Sequence, residues 1–95
     1  MYLFEEKSGH ELIKELGQRY KSYRKQMGQT QKMISTQSGL SIFTISSFEN
    51  GSFTGITLSS FIKLLRALDL QDEINKLLPE IPPSPKEMFK KHKKK

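Results

Sequence analysis

Cysteine is absent from this 95-residue chain, so disulfides and thiolate metal sites are excluded. Long apolar runs are absent too. No segment approaches the roughly 20 consecutive apolar residues that span a bilayer, so no membrane partner is expected. The opening MYLFEEKSGHEL lacks the basic flank and apolar core of a secretory signal, and a cytoplasmic protein is expected. The two histidines, His10 and His92, lie at opposite ends, there is no Gly-rich phosphate loop, and no carboxylate pair occupies an evident cleft. Catalysis, a metal and a cofactor are therefore not expected. All four prolines, Pro79, Pro82, Pro83 and Pro85, fall near the C-terminus and end regular packing there.

Acidic residues are scarce in one long stretch. From Leu16 to Leu68 the only acid is Glu49, set against Arg19, Lys21, Arg24, Lys25, Lys32, Lys63 and Arg66. The formal charge of +6 is nevertheless concentrated in the tail: residues 1–81 carry 10 Lys and Arg against 9 Asp and Glu, whereas residues 82–95 carry six Lys and one Glu. A basic region inside the domain and a basic tail beyond it both suit a polyanionic partner.

What the chain does contain is helix punctuation. Ser8-Gly9-His10-Glu11 is a capping box opening a long helix whose apolar stripe reads Leu12, Leu16, Tyr20, Tyr23 and Met27, closed by Gly28. Thr30 caps a second helix that stops at Gly39, and Ser41 caps a third that runs from Ile42 to about Phe48 and ends in Asn50-Gly51. Ile34, Leu40, Ile45 and Phe48 then bury one face between the two short helices, leaving Ile42, Phe43, Thr44 and Ser47 outward. Thr57 caps a fourth helix with a buried stripe of Leu58, Phe61, Ile62, Leu65 and Leu68, and a fifth spans about Gln71 to Leu78. No strand pattern is strong, although Met1 to Phe4 suit an extended arm.

The spacing and identities of Leu16, Gly17, Arg19, Tyr20, Tyr23, Arg24, Gly28, Thr30, Gln31, Gly39, Ile45, Glu49, Asn50 and Gly51 resemble the helix-turn-helix family of phage Cro and repressor proteins, called XRE. The resemblance covers Leu16 to about Leu78. It implies an all-α, compact five-helix lambda-repressor-like DNA-binding domain with a basic C-terminal tail: an N-terminal arm at 1–8, the domain at 9–79 with its motif at 30–50, and a Pro-rich linker and Lys-rich tail at 80–95. The implied partner is double-stranded DNA, in a bacterial, nucleoid-associated setting, with the third helix in the major groove of a homodimer's half-site.

Residue by residue, the resemblance places Ile42, Phe43, Thr44 and Ser47 at base-reading positions. It places Gln31, Lys32, Ser41, Ser52, Phe53 and Thr54 at or beside phosphates, where helix N-termini supply free N–H groups. It pairs Arg24 with Glu49 in a salt bridge between the first and third helices; the competing reading of Arg24 is a phosphate contact. The reading positions depart from the usual pattern, because Ile, Phe, Thr and Ser offer no bidentate base contact. Ile42 and Phe43 suit thymine methyl groups and an A/T-containing site, or else a protein surface or the core. Gln29, Ser35 and Ser38 stand where the family favours apolar or small residues, which makes the interior more polar.

Leu70, Ile74, Leu77 and Leu78 form the candidate dimer surface, with packing on their own core as the alternative. Residues Ala67 to Leu70, Leu77 to Glu80 and Pro82 to Pro85 resemble the HipB kind of XRE antitoxin, which implies a HipA-like toxin kinase as partner and autorepression as the role; a plain linker is the competing reading. Ser84-Pro85-Lys86-Glu87 could cap a short helix through Phe89, and Lys90, Lys91 and Lys93 to Lys95 suit sequence-independent phosphate contact. The alternative to DNA reading is a helix-turn-helix scaffold used as a protein-interaction adaptor or antitoxin, with weak or partner-dependent DNA binding.

Overall fold

The computed structural model describes residues 7–84, and the expectations for the 1–4 arm, for the cap completed by Pro85 to Glu87 and for the lysine tail lie outside them. Five helices follow in order: α1 (Gly9–Gln26), α2 (Gln31–Ser38), α3 (Ile42–Asn50), α4 (Leu58–Ala67) and, after a 3-10 turn at Gln71–Glu73, α5 (Ile74–Leu77). No strand occurs among the described residues.

Each of the first four helices starts at a hydroxyl that satisfies an otherwise orphaned N–H. Ser8 Oγ accepts from Glu11 N–H at 3.1 Å while Glu11 Oε1 accepts from Ser8 N–H at 2.9 Å, a reciprocal capping box. Thr30, Ser41 and Thr57 take the N–H groups of Met33, Thr44 and Ser60, each at 3.0 Å. The turn between α2 and α3 depends on Gly39, whose φ of 79° lies in the left-handed region that a side chain disfavours. Ser35 and Ser38 then fix the next residue: Ser35 Oγ donates to Leu40 C=O at 2.6 Å and Ser38 Oγ accepts from Leu40 N–H at 3.1 Å. Two of the three polar residues expected to make the interior more polar, Ser35 and Ser38, thus brace the turn.

The core is Tyr20, Ile34, Ile45, Phe48, Leu64 and Leu68, with Ile13, Leu16, Leu40, Ile56, Phe61, Ala67 and Leu70 packed around it. Phe48 is central, 6.2 Å from the Tyr20 ring and 6.0 Å from the Phe61 ring, the latter edge-on. Burial of such large side chains is worth about 1.5–3 kcal/mol each. The Tyr20 hydroxyl donates to Leu64 C=O at 2.7 Å, near the end of α4, where Leu68 N–H has turned to Leu65 C=O instead. One hydrogen bond therefore joins α1 to α4 and satisfies a last-turn carbonyl.

Three expectations require correction. On α1, Leu12, Tyr23 and Met27 are exposed, and the inward face is Ile13, Gly17, Tyr20 and Arg24. Gly17 sets that register, because a Cβ there would stand 2.0 Å from Phe48 O, so α1 and α3 meet at backbone contact. On α4, Leu58 is exposed while Leu64, outside the expected stripe, is fully buried. The expected continuous helix from Gln71 to Leu78 is a 3-10 turn followed by the four-residue α5; it follows Asp69, whose φ of 61° ends α4 in a left-handed step.

Candidate nucleic-acid interface

The one carboxylate between Leu16 and Leu68 is withdrawn from the surface. Glu49, 3% exposed, receives Arg24 Nε on Oε2 at 2.7 Å and Arg24 Nη2 on Oε1 at 2.8 Å, a bidentate pair buried between α1 and α3. Arg24 Nη1 donates to Gln29 C=O at 2.9 Å, which occupies the remaining side of the guanidinium. The hydrogen bonds that Arg24 donates to Glu49 raise the Arg24 pKa above its ordinary value despite the opposing cost of burial. Arg24 is only 7% exposed and each of its three guanidinium nitrogens donates inside the protein, so it is an internal tie and not a phosphate contact.

Gln31 extends the network. Its Nε2 donates to Glu49 Oε1 at 3.1 Å, which places the first residue of α2 in register with α1 and α3 and leaves the second amide N–H for another acceptor. With Thr30 Oγ1 holding Met33 N–H, the backbone N–H groups of Gln31 and Lys32 have no intrahelical acceptor, and the exposed Lys32 stands beside them. The start of α3 repeats the arrangement. Ser41 Oγ caps Thr44 N–H and also donates to Thr44 Oγ1 at 3.0 Å, while the N–H groups of Ile42 and Phe43 in the same turn have no intrahelical acceptor. Two helix N-termini with bare donors, on helices that carry no exposed carboxylate, can hold phosphate oxygens.

On α3, Phe43 is 79% exposed and Ile42 is 45% exposed, with Thr44 half-buried behind them. Ser47 was expected outward on the same face and is instead buried, at 7%. The cause is the rotation of α3 that brings Ile45, Phe48 and Glu49 inward: Ser47 lies at the edge of that face, and the chain after α3 folds back over it. Ser47 C=O accepts from both Ser52 N–H (3.1 Å) and Phe53 N–H (3.2 Å). Those two backbone donors are thus spent inside the protein, although the side chains of Ser52 and Phe53 remain exposed. Thr54 is half-buried and pairs through Oγ1 with His10 Nδ1 at 2.5 Å, tying the loop to the start of α1. His10 in this role, and Ser46 as the half-buried neighbour of Ile42, were not evident from the sequence; long-range pairing of an exposed histidine leaves no local signal.

The candidate dimer residues divide. Leu70 and Ile74 are half-buried, with Leu70 against the core, whereas Leu77 and Leu78 are exposed. Leu70, Ile74 and Leu77, but not Leu78, line a largely apolar cleft between α1, α4 and α5 that includes Leu16, Tyr23 and Phe61. No helix among the described residues is long and apolar enough to cross a membrane, and among those residues no cluster of His, Asp or Glu suits a metal ion.

No curated protein and no solved structure gives a significant match to the chain. The helix-turn-helix family matches residues 21–73, more than half of the sequence and the whole of the region containing α2, α3, α4 and the Arg24–Glu49 tie. That match and the paired helix N-termini agree: the chain belongs to the XRE-type helix-turn-helix family of DNA-binding transcription regulators.

Proposed function

We propose that the protein binds double-stranded DNA sequence-specifically, with α3 in the major groove and Ile42, Phe43 and Thr44 against base edges. Gln31, Lys32 and Ser41 approach phosphates at the two helix N-termini, and the side chains of Ser52, Phe53 and Thr54 flank the groove. The observation that carries this reading is the unbroken absence of an exposed carboxylate from Leu16 to Leu68 around two bare helix starts, since the sole acid there, Glu49, is buried against Arg24. Ser47 has no part in the reading surface, given its burial.

A single such domain makes few phosphate contacts, so useful affinity requires two copies on half-sites about 34 Å apart. Leu77 at the apolar cleft and the exposed Leu78 after it supply the twin contact, with Leu70 and Ile74 as the cleft's inner wall. The regulatory role is autorepression. Residues 67–85 support, by resemblance alone, a HipA-like toxin kinase as a second partner, which co-expression and co-purification with the full chain would test. The exposed Phe43 also favours one alternative, a protein-interaction adaptor with weak or partner-dependent DNA binding.

Selection from a randomised duplex pool, at near-physiological salt, separates these readings. The full chain and a version ending at Ile81 should return the same inverted-repeat consensus. The shorter version should bind more weakly with a shallower salt slope, by about 0.9 per lost phosphate contact. Failure of both to select any sequence would favour the adaptor.

A further inference from the structure

On the outward face of α3 the polar side chains are engaged or recessed. Thr44 Oγ1 accepts from Ser41 Oγ at 3.0 Å, Ser46 is half-buried, Ser47 is buried, and Asn50 Oδ1 accepts from Ser52 N–H at 2.8 Å. What projects freely is hydrocarbon: Phe43 and Ile42.

In the major groove, one base-edge group is apolar, the C5 methyl of thymine, and all others are hydrogen-bond donors or acceptors. A cytosine methylated at C5 presents the same methyl at the same place on the pyrimidine ring. Thymine and 5-methylcytosine differ next to that methyl, where one offers the O4 acceptor and the other the N4 donor. Telling them apart requires a side chain fixed as donor or as acceptor, and the one hydroxyl beside Phe43 and Ile42, that of Thr44, accepts from Ser41 and keeps its own proton and a second lone pair, so it can meet O4 or N4 alike. The groove as occupant is favoured by charge: α2 and α3 carry Lys32, two bare helix N-termini and no exposed acid.

We propose that Ile42 and Phe43 form a reader of pyrimidine C5 methyl groups, indifferent to whether the base is thymine or 5-methylcytosine, so that cytosine methylation within a site strengthens binding and regulates its occupancy. This rests on the reading of DNA by α3 proposed above. Each methyl buried against the pair contributes about fourfold in affinity, at the usual free energy of removing a methylene-sized group from water.

The test uses the full chain and the duplex it selects. Each thymine of the site is replaced in turn by uracil, which lacks only the methyl, and each cytosine by 5-methylcytosine. At the positions facing α3, uracil should weaken binding about fourfold and 5-methylcytosine should strengthen it by the same factor. Phe43→Ala combined with Ile42→Ala should erase both differences while leaving the melting temperature almost unchanged, because both side chains project into solvent. A selected sequence bound equally well with thymine and with uracil overturns the methyl reading alone. Methyl dependence that survives in the double variant also overturns it, since the reader would lie elsewhere. If no sequence is selected, the reading of DNA by α3 falls and this proposal falls with it.

Discussion

Removing Glu49 should be among the most damaging single changes the domain can suffer. Glu49→Leu deletes two charge-assisted hydrogen bonds from Arg24 and one from Gln31, and leaves a guanidinium that is 7% exposed with only the Gln29 carbonyl as partner. Breaking a buried ion pair on one side costs about 3–5 kcal/mol. Stability of about 0.05–0.15 kcal/mol per residue makes this a large part of the total for a domain of this size. Arg24→Met strands the carboxylate instead and should cost a similar amount. The double variant should be far less damaged than the sum, by about 2–3 kcal/mol, because neither charge is then left unpaired. Urea denaturation followed by circular dichroism, with the slope compared across the four proteins, gives the cycle directly. Single variants within 1 kcal/mol of the parent, or a double variant that simply adds the two losses, would refute the view that this tie locks α3 to α1.

Other consequences follow from single contacts. Gly17→Ala would place a Cβ 2.0 Å from Phe48 O and force α1 from α3, costing about 3 kcal/mol or more; a thermal melt close to that of the parent would show that the helices can part cheaply. Tyr20→Phe should lose about 1–2 kcal/mol with the bond to Leu64 C=O. The Tyr20 phenol is pushed far above its ordinary value of 10.0, first by burial and then by the Glu49 charge, with Arg24 partly opposing. Its contribution is therefore complete below pH 10 and falls as pH rises beyond, when the unfolded phenol ionises and the folded one does not, at up to about 1.4 kcal/mol per pH unit. Alkaline denaturation curves of the parent should show that loss relative to Tyr20→Phe, and parallel curves would refute it. Gln29→Met should stabilise by about 1 kcal/mol, because Gln29 Oε1 is buried without a hydrogen-bond partner among the described residues; a lowered melting temperature would show that the amide is needed.

The caps were legible because they are local. A hydroxyl before an apolar period and a glycine after it specify where a helix begins and ends with no knowledge of what it packs on, and Thr30, Gly39, Ser41 and Thr57 stand where they were expected. Faces were less legible. The inward line of α1 includes a glycine and an arginine, which a hydrophobic pattern scores as gaps, so the apolar period runs through the exposed Leu12, Tyr23 and Met27 instead. On α4 the apolar residues are too many to define one side, and the pattern does not single out Leu64, which is fully buried and whose carbonyl accepts from the Tyr20 hydroxyl. Ser47 failed for a third reason: a small polar residue can be covered by the returning chain at almost no cost, and nothing in its own type or spacing announces it.

The same economy of small polar residues bears on how selective the protein can be. Thr30, Ser35, Ser38, Ser41 and Thr44 all have their hydroxyls in hydrogen bonds that cap or brace α2 and α3, and Asn50 is tied to the loop that follows. These helices are short, at eight and nine residues, and depend on such bonds for their ends. Side chains that stabilise the motif in this way are not free to make bidentate base contacts. A bidentate contact would discriminate by about 1–3 kcal/mol, whereas two buried methyl groups supply about 1.6 kcal/mol between them. One domain should then prefer its half-site over an unrelated one by only about tenfold to twentyfold. If two copies bind together, the free energies add and the preference becomes about a hundredfold or more. Competition binding with a half-site duplex and a full inverted repeat should show selectivity growing roughly as the square. A half-site already preferred a thousandfold would mean that hydrogen bonds to bases come from elsewhere in the chain, and that α3 is not the principal reader.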